Sequence, residues 1–155
     1  MECIPAHKLV EHTFVLTQEE ATAQLETLLK SHKHIRYMWI PYQDAVVVVT
    51  NDPEDNVPPA IPRQSEALNK KEQFRPLTEL LAELTKDYPE PFTDESMEGM
   101  GFGELRDALL AVNPLDVEHV KRCNKAEADF WRRSEGYQTK PSDQLLQFDC
   151  GGQVR

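Results

Sequence analysis

The sequence predicts an α+β fold, an antiparallel sheet with helices packed on one face, and three observations predict it. Two short β-rich runs, Ile35 to Ile40 and Ala45 to Thr50, are separated by Pro41-Tyr42-Gln43-Asp44, an insert compatible with a hairpin turn. Several other segments carry apolar residues at helical spacing, but they do not alternate regularly with strands, which argues against a parallel sheet. The length of 155 residues, with 39 % hydrophobic and 28 % charged residues, suits one globular domain with its own core.

Lys8 to Leu16 is rich in β-branched and aromatic residues and reads as a strand. Thr17 and Glu20 form a capping-box pair, in which the hydroxyl and the carboxylate each satisfy an amide that a helix start leaves unbonded. The helix that follows runs to about Lys30, with Ala21, Leu25, Leu28 and Leu29 as the face a sheet must cover. Val46 to Val49 is apolar at every position, so that strand is expected to be covered on both faces and central in its sheet. The apolar run is too short and too interrupted to cross a bilayer.

Residues 52 to 98 read as a Pro-rich and acidic loop region with one short helix. Pro53, Pro58, Pro59 and Pro62 withhold amide donors and disfavour helix before them. Pro76 to Thr85 follows as the helix, with the proline in its first turn and Leu77, Leu80, Leu81 and Leu84 as its buried stripe. Glu104 to Val112 is a second amphipathic helix. Asn113 and Pro114 then cap and open a third that runs to about Ser134, its inward face marked by Val117, Val120, Cys123 or Asn124, Glu127, and Phe130 or Trp131. Gly136 is a natural stop, and Gln144 to Cys150 reads as a closing strand.

The formal charge is -10, and residues 72 to 98 hold eight acids against Arg75 and Lys86. Such a face repels phosphate backbones, so nucleic acid is excluded as a partner, and a solvated acidic loop is the plain reading. Cys3, Cys123 and Cys150 are odd in number and widely spaced, which predicts reduced thiols rather than a disulfide framework. No basic-plus-apolar leader or Arg/Ser-rich presequence opens the chain.

Cys3, His7, His12, His32 and His34 have ligand chemistry, but His7 and His12 would face opposite sides of one strand. His32 and His34 fall at a helix-to-strand junction, so ordinary histidines rather than a metal site are expected. Gly99-Met-Gly-Phe-Gly103 lacks the register of a dinucleotide loop and follows an acidic segment rather than a strand. Trp39, Tyr42, Asp44, Trp131, Glu135 and Tyr137 could stack on or polarise a sugar lactone, with core and hairpin packing as the alternative. Cys150, Gly151 and Gly152 put a thiol at an expected strand end, beside two glycines that let backbone approach a ligand closely. No catalytic triad, carboxylate pair or nucleophile elbow is present.

Three blocks carry a resemblance to a known family. They are Leu9 to Val15 resuming at Lys33 to Asn51, with its Ile-Pro-Tyr-Gln-Asp-Ala-Val-Val-Val-Val-Thr core; Phe102 to Leu115 with His119-Val120; and Asn124 to Gln153, ending Phe-Asp-Cys-Gly-Gly-Gln. In this order they resemble the L-galactono-1,4-lactone dehydrogenases, flavoproteins of the aldonolactone oxidase group in the vanillyl-alcohol oxidase superfamily. The D-arabinono-1,4-lactone oxidases fall in the same group. Residues 52 to 98 match poorly.

The resemblance implies that residues 1 to 155 form a single partial cap domain on the substrate side. It places the FAD domain, with its pyrophosphate loop, and a catalytic Glu and Arg in sequence not present here, so no cofactor is expected on this segment alone. It implies oxidation of L-galactono-1,4-lactone toward L-ascorbate with cytochrome c as acceptor, by a parent at the mitochondrial inner membrane or intermembrane space. Cys150, Gly151 and Gly152 would then be a substrate-channel or redox thiol segment. The alternative is a non-enzymatic cap-domain protein docking a separate flavin-binding half or a respiratory complex I assembly partner. A third reading takes Val154-Arg155 as intronic or frameshifted residues.

Overall fold

A computed structural model of the chain describes residues 7–65, 70–87 and 100–146. Strand β1 (Lys8–Leu16), helix α1 (Gln18–Ser31), strand β2 (His34–Trp39) and strand β3 (Val46–Pro53) come first. A single 3-10 turn at Glu54–Asn56 leads on to α2 (Lys70–Asp87), α3 (Phe102–Ala111), α4 (Val117–Arg133), β4 (Gly136–Pro141) and the one-turn helix α5 (Ser142–Leu145). The four strands form one antiparallel sheet in the order β2-β3-β1-β4. The expected α+β class and antiparallel sheet are therefore present.

Central placement of β3 follows from its sequence. Val46, Val47, Val48, Val49 and Thr50 are each no more than 2 % exposed, because both faces are covered. On one face Val47 and Val49 pack with Ile40, Ala45 and Ala128 of α4; on the other, Val46 and Val48 pack with Ala21 of α1. Full burial of each such side chain stabilises by roughly 1.5–3 kcal/mol. Helices α2, α3 and α4 form a layer on the first face, and α1 lies against the second, so helices cover both faces of the sheet.

That layer has its own core of Leu77, Leu80, Leu81, Leu84, Leu105, Leu109, Cys123, Ala126 and Phe130, and Trp131 packs both there and against the sheet cluster. Helix α4 is thus sandwiched, which is why Ala126 and Phe130 are buried on one side and Ala128 on the other. His119 is buried too, its Nε2 donating to the Leu109 carbonyl at 2.8 Å and so tying α4 to the end of α3. Burial pushes the Cys123 thiol up, so this cysteine is a packing residue rather than a reactive one.

The capping box forms as read. Glu20 Oε2 accepts from the Thr17 amide at 2.9 Å, and Thr17 Oγ1 accepts from the Glu20 amide at 3.2 Å. The amide contact holds the Glu20 carboxyl below its usual range. The expected apolar face of α1 is only partly covered: Ala21 is buried and Leu28 half-buried, but Leu25 and Leu29 stay 42 % and 52 % exposed.

Three boundaries differ from expectation. Helix α2 starts at Lys70, so Pro76 lies inside it rather than in its first turn. A proline there cannot bond the carbonyl four residues back, that of Glu72, and Arg133 supplies the donor instead, with Nη1 3.4 Å from that oxygen. Helix α4 starts at Val117, capped by Asp116 accepting from the Glu118 amide at 2.9 Å, while Asn113 to Asp116 forms a turn; Val117 is exposed as a result. The last strand is Gly136–Pro141, whereas Ser142–Leu145 is helical and residues 147 to 150 lie outside the described set. The polar run Tyr-Gln-Thr-Lys gives little hydrophobic signal for that strand.

From the end of β3 the chain reaches the outer edge of β4. There the Ser65 amide donates to Tyr137 O at 2.9 Å, the Tyr137 amide to Ser65 Oγ at 2.6 Å, and Thr139 Oγ1 to Arg63 O at 2.8 Å. Arg63 gathers the carbonyls of this Pro-rich segment: its guanidinium donates to Val57 O at 2.9 Å, Pro58 O at 3.3 Å, and Glu54 O and Ile61 O at 3.4 Å. Across β1 and β4, His12 stacks on Tyr137 with centroids 4.0 Å apart. Burial, and after it the neighbouring His32, lowers the His12 pKa.

Gly136 has φ +148°, and a Cβ there would meet Ser65 Oγ at 2.2 Å. Gly136→Ala is therefore expected to destabilise by more than about 1 kcal/mol, read as a lower urea midpoint. Arg63→Met should speed proteolysis between residues 54 and 65 while moving the melting temperature little, since the sheet core is untouched. With His12 depressed in the folded state, the unfolded chain takes up a proton first as pH falls. Stability is then whole above the ordinary histidine pKa of about 6.5 and declines below it. His12→Phe should lose less of its urea midpoint than the parent between about pH 7.5 and 5.5.

Candidate functional site

Strand pairing decides which polar side chains meet. One row across the helical face of the sheet runs Arg36, Val49, Thr13, Gly136, and the next runs His34, Asn51, Glu11, Gln138. The row nearer the β2–β3 turn, Met38, Val47 and Val15, is apolar and joins the core beneath α4. The face therefore changes from apolar to polar along the strands, and a cleft of about 410 Å³ opens over the polar part. Its floor includes Glu11, Thr13, Arg36 and Gln138, and Trp131 and Glu135 overhang it.

The electrostatics of this cleft are unusual for a sheet surface. Glu11 is 8 % exposed, with one side-chain partner, the Gln138 amide that donates to its Oε1. A carboxylate has room for more donors than that. Glu135 Oε1 accepts from the Val15 amide at 2.8 Å, which closes the end of the β1 ladder. The Arg36 guanidinium and the Thr13 hydroxyl have no hydrogen-bond or ion-pair partner among the described residues. Asn51, in register with Glu11, has a buried Oδ1 that is likewise unpartnered among them.

The opposite face has a cavity of about 500 Å³ between the end of α1 and the Pro-rich segment, over Val10, His12, Thr50 and Tyr137. Its chemistry is largely structural. Asp52 takes the Lys33 amide on Oδ1 at 2.8 Å and pairs with His32 Nδ1 through Oδ2 at 2.6 Å, fixing the α1-to-β2 junction.

Of the six residues read as possible sugar contacts, Trp131 and Glu135 come together at the polar cleft, while the Tyr137 ring stacks on His12 at the opposite face. The other three do not. Trp39 is 57 % exposed on the edge strand, and Tyr42 sits at the hairpin tip with φ 61°, its ring 5.8 Å from Lys121 Nζ. Asp44 caps α1, accepting from the Gln18 amide at 2.8 Å. Cys3, Cys150, Gly151 and Gly152 lie outside the described residues, and no group of three metal-ligating side chains occurs among those described. Sequence reading passed over Glu11, Thr13, Arg36 and Gln138. The available signal was a carboxylate at the inward position of a strand that otherwise alternates Leu9, Thr13 and Val15 on that face.

The glycine-flanked start of α3 does not fit a flavin pyrophosphate. At the one glycine-rich helix start, Gly101 donates its amide to Glu104 Oε2 at 2.9 Å, which places a carboxylate where a phosphate would need to sit.

Comparison with known proteins places this arrangement. The family model for D-arabinono-1,4-lactone oxidase matches residues 1–100, including the Pro-rich region where the block-by-block resemblance is weakest. Mitochondrial L-galactono-1,4-lactone dehydrogenase 2 of Oryza sativa subsp. japonica is 42 % identical over 155 residues, covering 99 % of this chain and 26 % of its own length. The Arabidopsis thaliana mitochondrial L-galactono-1,4-lactone dehydrogenase is 38 % identical over 161 residues with the same coverage. L-gulonolactone oxidase of Bos taurus is 33 % identical over 60 residues. The chain thus spans about a quarter of the length of its plant relatives, and it belongs to the D-arabinono-1,4-lactone oxidase family.

Proposed function

We propose that the chain is the substrate-side cap of a flavin-dependent aldonolactone oxidoreductase, contributing to oxidation of L-galactono-1,4-lactone toward L-ascorbate with cytochrome c as acceptor. The observation that carries this reading is collinear identity of 38–42 % across 99 % of the chain with relatives named for that lactone. The chemistry of the described residues agrees with a supporting role. Hydride transfer needs a bound redox group, and at the glycine-flanked start of α3 the Gly101 amide is already taken by Glu104 Oε2. On this reading FAD is held by a separate part of the enzyme, and the cap is inactive without it. A mitochondrial location, at the inner membrane or in the intermembrane space, is part of the same proposal.

A second reading, in which this cap acts without catalysis by docking another polypeptide, draws on its uncovered apolar surface. Leu25 and Leu29 on α1 and Trp39 on the edge strand are each more than 40 % exposed. The flavin-binding half is the occupant that both readings share; a complex I assembly factor is the occupant particular to the second.

Replacing the matching segment of the rice dehydrogenase with this chain tests the first reading. The chimaera should bind flavin and keep at least about a tenth of the parent kcat/KM for lactone-dependent cytochrome c reduction, a loss of no more than about 1.4 kcal/mol. A folded, flavin-loaded chimaera without turnover would overturn it. So would flavin absorbance and lactone oxidation by the isolated chain.

A further inference from the structure

We infer that the outer edge of β2 is a docking surface for an extended segment of a separate polypeptide in which acidic and apolar residues alternate. The inference goes beyond the proposed cap role, because it specifies the backbone geometry and the sequence of what binds, and it requires neither flavin nor lactone. The two edges of the sheet differ. The outer side of β4 is bonded by the Ser65 amide and hydroxyl and by the Arg63 carbonyl, whereas β2 pairs only with β3 among the described residues. Register between β2 and β3 is continuous from His34 to Trp39, and β2 holds no proline, so the open edge is regular along its length. Such an edge presents a row of amide donors and carbonyl acceptors that an added strand can take up.

The two faces of β2 set the sequence of the occupant. Ile35, Tyr37 and Trp39 lie on the α1 face, in register with Thr50, Val48 and Val46, and Trp39 is exposed. Leu25 and Leu29 of α1, exposed as well, overhang the same edge. On a helix they fall about 40° and 80° to one side of the inward-facing Ala21, and Ser31 falls about 80° to the other side, where it lines the cavity over β1. Side chains of an added strand on this face therefore meet an apolar shelf of Leu25, Leu29 and Trp39. The helical face of β2 is basic instead. Arg36 is exposed there, and its guanidinium, like the ammonium of Lys33 just before the strand, has no ion-pair partner among the described residues. Acidic cross-strand neighbours are favoured beside such groups. Successive residues of a strand point to opposite faces, so one segment meets both demands by alternating carboxylates with apolar side chains. A second copy of the chain fits less well, because β2 paired with itself about Arg36 sets two guanidiniums side by side.

The test is titration of the purified chain, followed by amide NMR, with a short end-capped peptide that alternates valine and glutamate. Saturable shifts of the amides of residues 34 to 39 are expected at roughly 0.1–1 mM peptide, with the β4 amides unmoved. Lysine in place of the glutamates should weaken binding at least about fivefold, and Arg36→Glu, at an exposed position, should reverse that order of preference. Backbone pairing is read from two further peptides, N-methylated on the valines or on the glutamates. Only alternate residues of an added strand bond the edge, so one methylated set should abolish binding and the other should leave it. No saturable binding, tolerance of both methylated peptides, an order of preference that Arg36→Glu leaves in place, or a chain already dimeric through β2 by sedimentation and amide protection would each overturn the inference. None of these outcomes bears on whether the chimaeric enzyme turns over lactone, so the two proposals fail separately.

Discussion

The structure depends on one constraint: β3 must be dry on both sides. Five consecutive residues, Val46 to Thr50, are almost wholly inaccessible, and a strand in that state cannot lie at a sheet edge, where its ladder groups would meet water. It has to be flanked, by β2 across the hairpin and by β1 from the other end of the segment. It also has to be roofed twice, by α4 through Ala128 and by α1 through Ala21. Small residues at those two contact points let the helices approach closely. Once β3 is fixed, parity fixes everything else on the sheet, because a slip of one residue would turn each valine to the opposite face.

The polar cleft is a consequence of the same parity. Val15 and Glu11 point to one face of β1, and Val47 and Asn51 to the same face of β3, so the register that builds the apolar core under α4 also aligns the carboxylate and amides beyond it. Trp131 stands at the border, packing with the sheet valines on one side and lining the cleft on the other. Gly136 sets the limit of the cleft: its positive φ lets β4 begin close against Ser65, where any side chain would collide. Fold and site are therefore one arrangement, with helix α4 supplying both the roof and the indole.

Elements that state their own physics were legible from sequence. The hairpin, the capping box and the four-leucine stripe of α2 each rest on local pattern, and each is where the pattern put it. What the sequence hid was set by distant partners. Pro76 reads as a helix start until Arg133, far along the chain, is seen donating to the carbonyl the proline leaves free. Strand β4 has too little apolar content to announce itself and exists because β1 and Ser65 bond it on either side. Cleft residues were the hardest to read, since Glu11, Arg36 and Gln138 come from three strands and converge only through register; Cys150 and its glycines fall outside the described residues.

Amide hydrogen exchange, resolved by residue, tests the central claim most directly. If β3 is the doubly covered centre of the sheet, the amides of Val46 to Thr50 and their partners on β1 should exchange slowest in the chain, through global unfolding only, with β2 and β4 opening earlier. Exchange of the β3 amides as fast as those of β2 would contradict it, because a strand buried on both faces cannot open before its edges.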